Sequence, residues 1–93
     1  MTEPLARQRV HFFGEVQGVG FRYTALQVSA GYPVVGFVQN LPNGSVEMVV
    51  EGRRDSVDAF VNALGYRMRG HIRRTEIASE PATGEFDGFN IRR

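Results

Sequence analysis

The segment Gly14-Glu15-Val16-Gln17-Gly18-Val19-Gly20-Phe21-Arg22 constrains this chain more than any other, because it closes a strand pattern, turns through glycines and opens a helical pattern with an arginine. Upstream, Arg9 to Val16 partly alternate. Val10, Phe12, Gly14 and Val16 fall on one face, and the β-branched and aromatic content predicts a first strand. Downstream, Phe21, Ala25, Val28 and Tyr32 recur at helical spacing, and Gly31 with Pro33 marks the stop, so a helix is expected from about Arg22 to Ala30. Glycines let successive N–H groups point into one concavity, and the start of a helix adds partial positive charge there. Arg22 supplies a planar fork of donors that matches two phosphate oxygens at once. Phosphate or carboxylate is the expected guest. Without the arginine, a glycine-rich turn is equally compatible with a plain strand-to-helix connection.

The rest of the chain supplies the frame. Val34 to Leu41 reads as a second strand, joined through Asn43-Gly44 to a third in which Val46, Met48 and Val50 alternate with Glu47, Val49 and Glu51. Asp55 or Ser56 can cap a second helix whose Val57, Phe60, Val61 and Leu64 share one face, with Gly65 at its end. A fourth strand is expected around His71 to Ala78, then a loop through Pro81 and Gly84, then a short strand from Phe89 to Arg92. The order βαββαβ plus a short C-terminal strand predicts an α+β, ferredoxin-like sandwich: an antiparallel sheet with two helices on one face. Strand three then lies between strands one and two, whose ends sit on the same edge about 10 Å apart, two strand spacings. Asn40, near the end of strand two, can therefore face an anion held by residues 17 to 22.

Ninety-three residues suit one domain, expected to span residues 1–93 with an ordered core of about 8–92. The chain has no cysteine, which excludes disulfides and thiolate chemistry. A net charge of +1 argues against general electrostatic binding of nucleic acid. Every basic residue is arginine, so Schiff-base catalysis by lysine is excluded. The start of the chain lacks the apolar core of a signal peptide, and no run approaches the length of a membrane span. A cytoplasmic monomer without nucleic-acid or membrane partners is expected.

Val16-Gln17-Gly18-Val19-Gly20-Phe21-Arg22, then Gly36-Phe37-Val38-Gln39-Asn40, then Asn43-Gly44-Ser45-Val46-Glu47, together resemble the acylphosphatase signature in order and spacing. Phe89-Asn90-Ile91-Arg92 resembles that family's last strand. The resemblance implies the ferredoxin-like fold and hydrolysis of acyl phosphates to a carboxylate and inorganic phosphate, with no cofactor and no metal. It also implies that Arg22 binds the phosphoryl group and that Asn40 positions the attacking water. Gln17, Gly18, Val19, Gly20 and Phe21 would contribute the loop that holds substrate, Phe21 burying its ring. Some positions depart from the pattern. Relatives usually carry tryptophan where Phe37 stands and aspartate where Asn43 stands, and they often end in tyrosine where this chain has Arg92-Arg93.

Blander readings stand beside these. Arg22 could be a solvated arginine at a helix start, although the helix dipole disfavours a cation there unless an anion is bound. Asn40 could cap a turn before Pro42. His11 and His71 read as packing or surface residues. Two other functions compete with hydrolysis. An RNA-binding sheet would use the cluster Arg67, Arg69, Arg73 and Arg74 around His71, but Phe12 and Phe13 point to opposite faces. A non-catalytic phosphate- or carbamoyl-phosphate-binding module would need Arg22 but hardly a water-orienting amide at Asn40. The motifs define no pocket for the acyl portion, so broad tolerance is expected there.

Overall fold

The structure is a computed structural model that describes residues 5–93. Its elements are β1 (Ala6–Gly14), α1 (Phe21–Ser29), β2 (Val34–Asn40), β3 (Val46–Gly52), α2 (Arg54–Arg67), β4 (Ile72–Pro81) and β5 (Phe89–Arg92). The strands form one five-stranded sheet in the order β4-β1-β3-β2-β5, with β3 between β1 and β2 as the element order predicts. Both β1 and β2 run antiparallel to β3, so their C-terminal ends share one edge. β5 pairs parallel to β2, which makes the sheet mixed at that side rather than antiparallel throughout. The reason is directional. β4 runs antiparallel to β1 and ends at Pro81 beside Ala6, remote from the glycine turn, so the chain crosses the sheet there and returns along β2 toward the turn.

Alternation sorts the side chains between two faces. Val10 and Phe12 of β1, Val38 of β2, and Val46, Met48 and Val50 of β3 are fully buried beneath the helices. They meet Phe21 and Ala25 of α1 and Val57, Phe60 and Leu64 of α2 in one core. Each of these side chains larger than alanine stabilises the fold by about 1.5–3 kcal/mol when fully buried.

Local expectations fail where tertiary contacts override them. β1 begins at Ala6 rather than Arg9, and β4 runs on to Pro81 rather than Ala78, because Ala6 to Arg9 pair across from Ala78 to Pro81. Neither Asp55 nor Ser56 caps α2. Its N-cap is Arg53, without a side-chain cap hydrogen bond, and Asp55 lies in the first turn, where its carboxylate accepts the Ser56 N–H at 2.9 Å. Gly65 does not end the helix either. It lacks a positive φ, and the helix continues to Arg67 so that Met68 packs into the core.

The opposite face of the sheet is ionic. The carboxylate of the fully buried Glu51 accepts from Arg7 Nη1 (2.9 Å), Thr83 N (3.0 Å), Thr83 Oγ1 (3.2 Å) and Gly84 N (3.0 Å). Glu47 accepts from Arg9 (3.1 Å) and Gln39 (2.7 Å) and lies 2.9 Å from His11 Nε2. Burial alone would raise both carboxyls, but these hydrogen bonds and the facing arginines outweigh it and hold both below the usual carboxylate range. The β4–β5 connection straps this face: Thr83 and Gly84 reach Glu51, while the Phe86 ring lies 5.9 Å from that of Phe37 and under the Arg7 guanidinium.

Candidate active site

Gly18 and Gly20 both adopt φ 77°, a left-handed conformation that is costly for residues with a Cβ. With Gly20 as the N-cap of α1 there is no side-chain cap, and the first turn holds no acidic residue. The opening N–H groups of α1 therefore have no competing side-chain acceptor, and the dipole there favours an anion. The next residue fixes this turn to the core. Phe21 is 2% exposed, with its ring 4.9 Å from that of Phe12.

The other side of the site is tied to the same loop. Gln17 Nε2 donates to the carbonyls of Leu41 (2.8 Å) and Ser45 (2.9 Å), joining the loop to the β2–β3 hairpin. The hairpin is held in turn by Asn43 Oδ1, which accepts from Ser45 N (3.0 Å) and Oγ (2.6 Å). Asn40 ends β2 opposite Val46, and its side-chain amide has no hydrogen-bond partner among the described residues. Arg22 Nη1 donates to the carbonyl of Arg92 at 3.4 Å, and Arg22 pairs with no carboxylate among the described residues.

These elements form an open cavity of about 220 Å³ lined by Val16, Gly18, Gly20, Phe21, Arg22, Tyr23, Asn40, Ile91 and Arg93. That is smaller than the ~300–1,000 Å³ of a site for a drug-sized ligand. Of the residues singled out in the sequence, Gly18, Gly20, Phe21, Arg22 and Asn40 share this wall, whereas Gln17 and Val19 belong to the loop without lining the cavity. His11 faces Glu47 on the ionic side of the sheet, and His71 accepts the Glu15 N–H through its carbonyl; neither lines the cavity. Val16 and Ile91 lie within the quoted motifs without being singled out for the site, and Tyr23 and Arg93 lie outside them; all four line the cavity. Only the parallel docking of β5 beside β2 carries Ile91 and Arg93 to the site, and no local pattern announces that pairing. The side-chain role of Gln17 is likewise invisible without the hairpin it reaches.

A phosphoryl-sized anion suits this geometry: an uncapped helix start, a glycine turn, one guanidinium without a carboxylate partner, and a facing amide. Comparison with known proteins agrees. The model of the acylphosphatase family matches residues 8–91. An acylphosphatase of Paenarthrobacter aurescens is 39% identical over 92 residues, covering 98% of each chain. One of Aeropyrum pernix is 40% identical over 97 residues, covering 99% of this chain and 93% of the relative. The crystal structure of acylphosphatase from Bacillus subtilis superposes with a TM-score of 0.84 at 25% identity, covering 95% of this chain and 99% of that one. Motif spacing, sheet order, cavity and relatives converge: the chain belongs to the acylphosphatase family.

Proposed function

We propose that this chain, as a single domain, hydrolyses acyl phosphates to a carboxylate and inorganic phosphate without a metal ion, with Arg22 binding the phosphoryl group and Asn40 orienting the attacking water. The observation that carries the reading is that Arg22, without a carboxylate partner, and Asn40, with an unpartnered amide, line the same cavity as the left-handed glycines 18 and 20. Backbone N–H groups of residues 17–21 complete the cradle in this reading. The side chain of Gln17 fixes the loop and Phe21 anchors it.

The chemistry asks for little more. Phosphoryl transfer depends chiefly on positioning and on neutralising oxygen charge, because the transferring group is loosely bonded at the transition state. The leaving group of an acyl phosphate is a carboxylate whose conjugate acid has a pKa of about 4, so departure needs neither a general acid nor a Lewis acid. Water held by the Asn40 amide attacks phosphorus as the P–O bond to the acyl group breaks, and its proton passes to a phosphoryl oxygen. An asparagine is suited to this place, since a carboxylate would repel the substrate. No histidine or acid lines the cavity, so the rate should be flat across neutral pH.

The ionic face supports a reading without a nucleic-acid partner. The strap crosses the face on which a ferredoxin-like sheet would receive bases, and Arg74 lies over the Phe13 ring at 4.1 Å. A monomer is the corresponding expectation, checked by sedimentation. Among the described residues no helix is long and apolar enough to cross a membrane.

The test is hydrolysis of benzoyl phosphate, with and without chelator, by the native protein, Arg22→Lys and Asn40→Ala. Chelator-resistant turnover that falls by about 10²–10³-fold in each variant is expected, the loss typical of removing one donor to developing charge. Well-folded native protein that binds phosphate without turnover would replace this reading with a phosphate-binding module.

A further inference from the structure

One wall of the cavity is left over by the phosphoryl chemistry. Tyr23, Ile91 and Arg93 line it beside the glycine turn and Arg22, and none of the three has a role in the hydrolysis proposed above. We infer that Arg93 determines specificity for the acyl portion of the substrate, favouring short acyl phosphates that carry a second, terminal carboxylate. The inference rests on the proposed hydrolysis and adds the substrate class.

Strand alternation aims the side chain. Arg92 turns to the ionic face, where its guanidinium sits 3.6 Å from the centroid of the Phe37 ring. Ile91 turns the other way and packs against the core. Residue 93 follows Ile91 by two positions, so an extended chain returns it to the side of the sheet where the cavity lies. The hydrogen bond from Arg22 Nη1 to the Arg92 carbonyl fixes the point from which residue 93 departs.

Charge and size identify the guest. Arg93 makes no ion pair, hydrogen bond or ring contact among the described residues, and no acidic residue lines the cavity. Two guanidiniums at one small cavity repel each other until anions arrive. Arg22 and the helix start answer the phosphoryl group, which leaves Arg93 for a different anion. A single guanidinium fork matches the two oxygens of a carboxylate. Across an open cavity of about 220 Å³ a short chain between the two anions is enough to reach both guanidiniums.

The experiment compares kcat/KM for succinyl phosphate and butyryl phosphate, which differ by a carboxylate in place of a methyl group, in the native protein, Arg93→Gln and Arg93→Glu. The native ratio should favour succinyl phosphate by about fivefold, as expected for one partly exposed charge pair. It should fall to near unity in Arg93→Gln and below unity in Arg93→Glu, and the native preference should shrink at high salt. A ratio that both variants leave unchanged would overturn the inference. So would equal losses for both substrates, which would make Arg93 a phosphoryl ligand instead. Absence of turnover of either substrate by native protein would remove the hydrolytic reading itself, and the inference with it.

Discussion

On the ionic face of the sheet Arg7 meets Glu51, Glu80 and Glu85, and Arg9 meets Glu47 and Glu80; at the cavity, Arg22 and Arg93 meet no carboxylate among the described residues. The same residue type thus serves two purposes within one small sheet. Where the protein supplies its own anions, arginines lock strands and strap together. Where it withholds them, arginines remain available to a ligand. The helix start repeats the contrast, since the first turn of α2 contains Asp55 whereas that of α1 has no acid. An anion site is made as much by removing internal counter-charges as by adding cations.

Breaking the neutralised side should cost most. Glu51→Ala leaves the Arg7 guanidinium, whose side chain is 10% exposed, without its buried partner and strips acceptors from Thr83 and Gly84. A loss of about 3–5 kcal/mol is expected, typical of removing one partner from a buried pair, and is read by urea denaturation. Residual folded protein should keep its affinity for inorganic phosphate, since the cavity lies elsewhere.

Acid makes the same break reversibly and less severely, because a protonated carboxyl still accepts one hydrogen bond and donates another. Glu47 and Glu51 titrate below their unfolded values. Their contribution is therefore fully present above the ordinary carboxylate pKa of about 4.3 and is lost as pH falls from there through the folded values. Stability measured by denaturant at a series of pH values should drop over that range, and less steeply in Glu51→Gln.

Filling the open side should stabilise the protein. Inorganic phosphate at about 100 times its Kd should raise stability by about 2.7 kcal/mol, seen as an increase in Tm. Arg22→Ala should abolish most of that increase while leaving the Tm without phosphate nearly unchanged, since Arg22 holds only the long bond to the Arg92 carbonyl. A control on the same edge should do least. Arg73 and Glu15 pair at 3.4 Å with about three-quarters of each side chain exposed, so Arg73→Ala should change stability by no more than about 0.5 kcal/mol.

The elements that were legible are those whose signals are local. Glycines 18 and 20 before a helical pattern announce the turn, Asn43-Gly44 announces the hairpin, and the alternation of Val46, Met48 and Val50 gives β3 its inner face. Misreadings fall where a local signal competes with packing. Gly65 is a reasonable helix stop until the burial of Met68 draws the helix on to Arg67. The polar run Ala6 to Gln8 looks unlike a strand until β3 and β4 pair with it on both sides.

By itself the sequence determined the glycine turn before α1 and the order of strands and helices, because turn chemistry and periodicity act within a few residues of their cause, and that order in turn brought Arg22 and Asn40 to one edge of the sheet. Only the tertiary structure decided the parallel course of β5, the arrival of Ile91 and Arg93 at the cavity, the anchoring of the loop by Gln17, and the pairing of each buried arginine with its carboxylates. Those depend on contacts between residues far apart in the chain, where many pairings satisfy the same local rules and only the packed sheet selects one.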